Sequence, residues 1–374
     1  MLEVGSWILG VIAFIIILAL SIGLHEAGHL VVAKKLKLYT PKFFVGFGPT
    51  LWSKKTKETE YGVKAIPLGG FVSIEDKRFE KDSYERQFLS RVSPWKRTLV
   101  FLAGPVVNLI LGFTILLTTL SIFPGYTATT TLESVNSCSS TSAKVCKAEE
   151  AGLLAGDKII AIDGQKLESS NDFEKFFSGK ETAEITLERD SKVMTLPIEL
   201  ENGVIGVNLK AFEYSRTLPE ALNLISDTIY KNLMVIAELP TKIEPLIATI
   251  FGAEKDEGTP QSVISVGKTY GDVSSSTSLS SSDKVERILI YSGLLNLGLG
   301  LINLIPAMPL DGGRIFIAFC DMIRGAWSRV TRKEYKPLGF NVIQSMTAIT
   351  GSLVVSFMFL VILSDVLLIG RGAL

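Results

Sequence analysis

The sequence predicts a multi-pass α-helical membrane protein with polar segments inserted between its spans. Of the 374 residues, 47% are apolar and only 20% are charged, and the mean hydropathy is +0.35. A helix needs about 20 apolar residues to cross a bilayer. Four uncharged runs approach or exceed that length, namely 7–24, 98–123, 288–310 and 338–364. The predicted fold class is therefore four transmembrane helices with a membrane-associated cytoplasmic β-sheet and an inserted extracytoplasmic α+β domain.

The first run indicates a retained transmembrane helix over residues 1–33. A signal peptide would begin with a basic segment, whereas the only charge before this run is Glu3. Lys34, Lys35 and Lys37 follow the run, and positive residues flank the cytoplasmic ends of spans. We therefore expect an extracytoplasmic N-terminus. The same rule places the C-terminus on the extracytoplasmic side as well. The protein is expected to reside in the inner or plasma membrane of the cell.

The end of this first span contains the sequence HEAGH at 25–29, which fits H-E-x-x-H. Two histidines four apart share one face of a helix, so His25 and His29 can hold one Zn²⁺. Glu26 is then placed to take a proton from water at the metal. The alternative is a pair of structural histidines beside a solvated glutamate. We favour a catalytic site, because ionisable groups inside apolar segments are costly and mark function.

The loop at 34–97 is basic, with 15 Lys and Arg against 7 Asp and Glu, and is expected to be cytoplasmic. Two apolar segments in it, 43–47 and 63–72, predict strands separated by a polar turn at 54–60. One interpretation is a small amphipathic sheet at the membrane interface. The other is an edge strand that pairs with an extended substrate. The residues alone favour neither.

The second span is predicted over 98–123 and contains Gly104, Pro105 and Asn108. Small and polar residues inside a span let helices pack closely and bond to one another. We therefore interpret Asn108 as a packing residue rather than a catalytic one.

Residues 126–212 predict a small extracytoplasmic domain of short strands and a helix. The sequence EEAGLLAGDKIIAIDG at 149–164 gives a short helix, a Gly-Asp turn, an alternating strand and an Asp-Gly hairpin signal. This segment resembles the PDZ domains of bacterial envelope proteases, in which the pattern A-G-L-x-x-G-D-x-I-x-x-I-(D/N)-G occurs. PDZ domains commonly bind peptide ends by strand addition. The alternative is a lid or spacer without a peptide ligand.

The segment 213–287 is expected to connect this domain to the membrane, with helical periodicity over 217–250 and a flexible Ser-rich linker at 273–282. Three cysteines are too few for a disulfide scaffold. Cys138 and Cys146 could close a small loop in an oxidising compartment. Cys320 is interpreted as a buried apolar thiol near the third span.

The third span, predicted over 288–320, contains a segment that should break its helix. This segment, NLIPAMPLDGGR at 303–314, has two prolines and a glycine pair. Broken backbone at membrane depth is tolerated where it lines a cavity or is buried in protein. Asp311 could be the third ligand of a His₂-carboxylate zinc site. The alternative is a pair between Asp311 and Arg314, and we favour ligation because H-E-x-x-H needs a third ligand.

The fourth span is predicted over 338–366, after a second basic segment. Asp365 lies at the outer end of this span and is expected to be solvated. The balance of 38 basic and 38 acidic residues gives no sign of nucleic-acid binding.

In order, the chain has H-E-x-x-H in the first span, a PDZ-like segment after the second, and N-x-x-P…L-D-G in the third. This order resembles the site-2 protease family of intramembrane zinc metalloproteases, specifically the bacterial branch that cleaves membrane-bound anti-sigma factors. The third-span motif departs from the family pattern at Met308, where a second proline is usual.

The resemblance implies one zinc ion per chain and a reaction in or near transmembrane segments of membrane-anchored substrates. Single-span membrane proteins in a lipid bilayer, such as anti-sigma factors or signal-peptide remnants, would be the substrates. The PDZ-like domain would gate their access. The resemblance also implies a role for each of eight residues. The zinc ligands would be His25, His29 and Asp311, the general base Glu26, and the substrate-binding residues Asn303, Gly69, Gly70 and Phe71.

Two other classes of function compete with a protease. A zinc transporter or sensor would be expected to show repeated halves around a midplane site, and no repeat is visible. A catalytically dead scaffold for the PDZ-like domain would have no need of an intact His, Glu and Asp set.

Overall fold

The computed structural model describes residues 2–75, 92–138, 145–167, 169, 172–201, 203–253, 255, 258–336 and 338–371. The chain divides into two compact units. The first, which we call the membrane unit, comprises Met1–Thr119 and Pro219–Leu374. The second, the inserted unit, comprises Leu120–Leu218.

The described residues form helices and strands in the following chain order. They are α1 (Leu2–Lys35), β1 (Tyr39–Lys55), β2 (Glu60–Glu75), α2 (Pro94–Ile122), β3 (Gly125–Val135), α3 (Lys147–Glu150), β4 (Lys158–Ile162), β5 (Gln165–Lys166), α4 (Asp172–Phe177), β6 (Thr182–Arg189), β7 (Lys192–Glu199), β8 (Val207–Tyr214), α5 (Leu218–Ala237), a 3₁₀ turn (Leu239–Lys242), α6 (Ile243–Ile250), α7 (Val263–Ser275), α8 (Ser281–Ile302), α9 (Asp311–Thr331) and α10 (Phe340–Gly370).

Four helices of the membrane unit, α1, α2, α8 and α10, are long and apolar enough to cross a membrane. They coincide with the four predicted spans, which confirms this part of the fold class. Glycine brings two of them close together. A Cβ at Gly112 of α2 would lie 2.8 Å from the Gly293 carbonyl oxygen of α8. Small residues at such contacts let helix backbones approach closely.

The predicted break in the third span is confirmed. Helix α8 ends at Ile302, and α9 begins at Asp311 after an irregular segment. The Gly312 N–H donates to the Asn303 carbonyl across the break at 2.7 Å. The predicted span to residue 320 joins two elements, because the candidate span α8 ends at Ile302 and the helix α9 that follows the break continues to Thr331. Two separate helices therefore replace the single predicted span, and Asp311 occupies the first position of the second helix.

The sheet predicted in the basic loop is present and longer than predicted. Both long strands bend, so the antiparallel β1–β2 pairing produces four neighbouring segments in the order 52–55, 60–63, 42–45 and 70–73. The last segment pairs on one side with 42–45. Among the strands that the structure describes, its other side is an open edge. Gly23 of α1 lies against this sheet, with a Cβ position 3.4 Å from Val45.

The inserted unit is an antiparallel sheet in the order β7-β6-β4-β3-β8, with β5 paired to β4. Its core is apolar and includes Leu132, Ile159 and Ile185, which are almost fully buried. The short helix, turn and strand predicted over 149–164 are all present. Asp163 and Gly164 both have positive φ, at 50° and 74°, which suits the predicted two-residue hairpin between β4 and β5.

The predicted flexible linker at 273–282 is wrong at both of its ends. Its first residues are the last turn of α7, where Val273 is buried, and its last residues begin α8. Serine composition did not reveal that Ser280 caps α8 by accepting from the Asp283 N–H. Helix α7 also packs tightly on α1, because a Cβ at Gly271 would meet the Trp7 ring.

Asp365 was expected to be solvated, and this expectation is wrong. Its side chain is fully buried and accepts from Lys255 Nζ at 2.5 Å and from the Ser262 N–H at 2.6 Å. Nearby, Arg371 donates to the Thr249 carbonyl, one of the last carbonyls of α6. A cation at that position also complements the helix dipole. Residues more than 100 positions earlier therefore hold the end of α10.

Cys138 and Cys146 form a disulfide, which the sequence had suggested only as a possibility. Most of the loop between them, 139–144, lies outside the described residues. Cys320 is a free thiol on α9 and is only partly buried, which corrects the prediction of a buried one. The helical periodicity predicted over 217–250 is confirmed by α5 and α6.

Candidate metal centre

The two histidines of the H-E-x-x-H motif lie close to Asp311, although Asp311 follows them in sequence by 286 and 282 residues. His25 Nε2 and His29 Nε2 lie 3.0 and 3.1 Å from Asp311 Oδ2, and 3.2 Å from each other. All three side chains are buried. Zinc–nitrogen bonds of about 2.0–2.1 Å in a tetrahedron would separate ligand atoms by about 3.3 Å. The observed triangle therefore has the size that one zinc ion requires.

The hydrogen bonding of His29 indicates why a cation fits between these atoms. Its Nδ1 lies 2.7 Å from the Val100 carbonyl oxygen, which can only accept, so Nδ1 carries the proton. In the neutral ring Nε2 then presents a lone pair toward His25 and Asp311. Lone pairs and a carboxylate that face one another need a positive charge between them. A second nitrogen bonded to a carbonyl is also the usual way to orient a ligating histidine.

Two glycines shape the site, Gly104 by leaving room for the imidazoles and Gly28 by letting α1 approach α2, and sequence reasoning did not assign either of them to the site. A Cβ on Gly104 of α2 would collide with His29 Nε2 and would lie 2.7 Å from His25 Nε2. A Cβ on Gly28 would lie 2.7 Å from the Ala103 carbonyl oxygen. Gly104 had been noted only as a packing residue of the second span. Its position between the rings became visible only with α1 and α2 in place.

The edge segment of β2 reaches the glutamate of the motif. A Cβ on Gly70 would lie 2.7 Å from Glu26 Cγ and 2.9 Å from the Phe44 carbonyl oxygen. The absence of a side chain at this position therefore lets the strand backbone approach Glu26. Gly69 has a φ of +150°, and the Phe47 ring occupies the space where its side chain would be. Both glycines of the predicted substrate-binding strand are thus required by close contacts.

Phe71 belongs to an aromatic group on the same sheet. Its ring stacks on Phe44, with centroids 5.5 Å apart and planes 12° from parallel. Lys64 Nζ lies 5.4 Å from the Phe44 ring centroid and 5.7 Å from that of Phe71. The stacking therefore holds the edge segment against the 42–45 segment of β1.

For Asn303, the other predicted substrate-binding residue, the described part of the structure shows no side-chain contact with the three ligand atoms. Its side-chain amide donates to the Leu299 carbonyl at 2.9 Å, within its own helix. The alternative pairing of Asp311 with Arg314 is not present either, because Asp311 faces the histidines. Arg314 instead lies over the Phe101 ring, with its guanidinium carbon 5.2 Å from the ring centroid.

Four candidate membrane spans and a buried His₂-Asp cluster next to a glutamate define a membrane metallopeptidase. The family model described as Peptidase family M50 matches residues 13–345. The chain therefore belongs to the M50, or site-2 protease, family and is a zinc metalloprotease.

Its relatives carry the same description. Zinc metalloprotease Rip1 of Mycobacterium tuberculosis (strain ATCC 35801 / TMC 107 / Erdman) is 27% identical over 409 residues, which cover 96% of this chain and 97% of that protein. Zinc metalloprotease Rip1 of Mycolicibacterium smegmatis is 28% identical, with the same shares covered. The prediction of a zinc cofactor is thereby confirmed for the family to which this chain belongs.

Proposed function

We propose that this protein hydrolyses peptide bonds in or near transmembrane segments of membrane-anchored proteins. The single observation that carries the proposal is the convergence of His25, His29 and Asp311 beside Glu26, inside a unit of apolar helices. These three residues would hold zinc through Nε2, Nε2 and Oδ2. When bound, zinc supplies Lewis acidity and lowers the pKa of water toward neutrality.

Glu26 is the general base of this proposal. It is adjacent to the first ligand in sequence, and its side chain lies against Gly70 at the edge of β2. It would accept a proton from the attacking water and deliver that proton to the leaving amine. The Val100 carbonyl orients the His29 ring through its bond to Nδ1. The burial of the cluster excludes bulk water and strengthens these electrostatic interactions.

The β2 edge is the proposed docking strand for substrate. A transmembrane helix hides its carbonyls in backbone bonds and must unwind before cleavage. The open edge at 70–73 could satisfy the freed groups by strand addition. Gly70 and Phe71 lie on this segment and Gly69 directly precedes it, and Gly70 brings the segment against Glu26. This arrangement favours the edge-strand interpretation over a purely interfacial sheet.

A side chain at position 70 tests this docking. Gly70→Val should displace the edge from Glu26 and reduce cleavage strongly while zinc content stays unchanged. Gly298→Val in α8, where a Cβ would meet no atom within 4 Å, serves as the control. Equal activity of the two variants would contradict docking at this edge. Asn303, the remaining predicted contact, would have to leave its Leu299 bond to reach substrate.

The inserted unit is proposed to be a PDZ-like domain that gates access. Support comes from the A-G-L-L-A-G-D segment and the antiparallel sheet around it. Such a domain would exclude bulky ectodomains, so that only substrates already trimmed outside the membrane enter. Deletion of 126–212 should then speed cleavage of an untrimmed substrate. Unchanged or slower cleavage would contradict gating.

The proposed topology places both termini and the inserted unit outside the cell membrane, with the metal cluster toward the cytoplasm. It rests on the lysines after α1 and on the basic segments before α2 and α10. Cysteine-accessibility labelling of residues introduced at 57 and 190 tests it. The first should react only from the cytoplasmic side and the second only from outside.

The decisive experiment measures cleavage of a single-span substrate by the purified protein, wild type beside Glu26→Gln, with bound zinc quantified in both. We expect about one zinc in each and cleavage only by the wild type. A zinc transporter or a scaffold would keep its function in the Glu26→Gln variant. Full zinc without cleavage by the wild type, across several substrates, would overturn the proposal.

A further inference from the structure

Arg314 is a cation near the candidate metal centre to which neither the motifs nor the proposed mechanism assigns a role. It follows Asp311 by three residues in the first turns of α9, and residues three apart lie on the same helix face. The side chain is half-buried. Arg314 therefore extends from the same side of α9 as the carboxylate of the cluster.

The environment of the guanidinium locates it on the wall that α2 contributes to the site. Its carbon lies 5.2 Å from the ring centroid of Phe101. Phe101 is next to Val100, whose carbonyl orients His29. Attraction to an aromatic face holds a guanidinium in position without using its N–H donors.

Those donors have no partner in the part of the chain that the structure describes. Arginine carries five N–H donors in a fixed fork. Other arginines of the membrane unit use theirs, since Arg97 bonds Asp321 at 2.7 Å and Arg324 bonds the Lys336 carbonyl at 3.0 Å. No described hydrogen bond or ion pair involves Arg314. A half-buried cation that lies over the Phe101 ring, three residues after a carboxylate of the cluster, thus keeps its donors available for a ligand.

We propose that Arg314 donates to the carbonyl oxygen of the scissile peptide bond and stabilises the charge that develops there. This inference rests on the proposed protease function. When water adds to the carbonyl carbon, the carbonyl π electrons move to oxygen, which becomes negative. Arg314 remains protonated throughout, and Glu26 carries the transferred proton. Asn303, which the resemblance implies binds substrate, has its side-chain amide bonded to the Leu299 carbonyl.

The test compares Arg314→Gln and Arg314→Lys in the full-length purified protein with wild type, Glu26→Gln and Arg324→Gln. Arg324→Gln is the matched control, because Arg324 lies on the same helix and bonds the Lys336 carbonyl. For each variant we would measure kcat, KM, bound zinc and the affinity for a phosphinic peptide. This compound resembles the tetrahedral state, so its binding gives a readout other than turnover.

Loss of one oxyanion donor lowers kcat by about 10²–10³-fold. We expect that loss in Arg314→Gln, with KM and zinc content unchanged and affinity for the phosphinic peptide reduced by a similar factor. Arg314→Lys should lie between Arg314→Gln and wild type, since one charge remains but the fork is lost. Arg324→Gln should match wild type.

Three results would overturn the inference. The first is unchanged kcat and phosphinic affinity in Arg314→Gln, and the second is a change confined to KM. The third is loss of zinc from Arg314→Gln, which would make Arg314 a structural part of the metal centre. The Glu26→Gln protein distinguishes these results from failure of the proposed function, because a protease must lose cleavage in that variant whatever Arg314 does.

Discussion

The membrane unit and the inserted unit differ in how many charged side chains they bury. The core of the inserted unit is a continuous apolar cluster around Ile159 and Ile185. The membrane unit leaves many large apolar side chains exposed and buries charged ones, among them Arg97, Asp321 and Asp365. Lipid accepts an apolar exterior, whereas polar groups in lipid must find partners inside the protein. The difference shows which solvent each unit is built to contact.

In the membrane unit, the same buried polar groups serve both stability and the proposed reaction. In the inserted unit, the buried groups serve stability alone. In the membrane unit, the buried polar groups include both the metal cluster and the ion pairs that connect helices. Arg97 of α2 bonds Asp321 of α9, and these two helices also carry Gly104 and Asp311. In the inserted unit, the buried cluster is apolar and contains no group of the proposed reaction. Core substitutions should therefore affect chemistry in the membrane unit much more than in the inserted unit.

The largest effect is expected from Gly104→Ala, the smallest possible enlargement beside the imidazoles. The new methyl group would collide with His29 Nε2 and crowd His25 Nε2. Changes in groups around a metal ligand reduce the affinity for the metal by about 10–100-fold. Direct overlap of the new methyl group with a ligating imidazole should reduce zinc affinity further. Bound zinc and cleavage are the measurements. Gly298→Ala in α8 has open space for its Cβ and is the control. Normal zinc binding by Gly104→Ala would contradict the observed geometry.

Next in size is the loss of the buried ion pair through Asp321→Ala. Arg97 and Asp321 are each 1% exposed, and two nitrogens of Arg97 already have no partner in the described structure. Removal of one member of a buried pair costs about 3–5 kcal/mol. The unfolding free energy in detergent should fall by that amount. Lys268→Ala, which removes a partly exposed pair with Asp272, should cost less than about 1 kcal/mol. Similar losses in both variants would contradict the comparison.

Reduction of the Cys138–Cys146 disulfide should have a smaller effect, confined to the inserted unit. Closing a loop of this length contributes about 2–3 kcal/mol. Hydrogen exchange in β3 and β4 should accelerate accordingly. The tryptophans at positions 7, 52, 95 and 327 all lie in the membrane unit, so their fluorescence should not change. A change in fluorescence or in zinc content on reduction would contradict independent stability of the two units.

The smallest effect is a pH dependence at Asp157. Burial opposes ionisation of this carboxyl, but bonds from Arg189 and from the Leu154 N–H outweigh burial and hold the pKa of Asp157 below its usual value. A lowered folded-state pKa stabilises the fold above the unfolded value of about 3.9. That stability is lost as the pH falls from about 4 toward the folded-state pKa.

The matching measurement is hydrogen exchange in β6, corrected for intrinsic rates, in wild type and Asp157→Asn. Wild type should be better protected at pH 6, and the difference should shrink by pH 3. If the difference in protection between the two proteins did not change with pH, Asp157 would stabilise the fold through its hydrogen-bond geometry and not through its charge.

Local patterns predicted the spans, the H-E-x-x-H cluster and the break before Asp311, because each depends on residues close together in sequence. Contacts between distant segments were not predictable in this way. Asp365 has the same sequence context as a solvated helix end, and only the folded chain brings Lys255 to it. Gly104 likewise has the same context as any packing glycine until α1 lies against α2. The open edge of β2 required the bent pairing of both strands.

The two histidines of the cluster are the only histidines in the chain. Every imidazole signal from selectively ¹⁵N-labelled, untagged protein would therefore come from the metal centre. A single spectrum could report which ring nitrogen of His29 carries the proton, and a second, after chelation, could report whether that tautomer persists. The scarcity of one residue type thus gives a large membrane protein a built-in, site-specific spectroscopic probe.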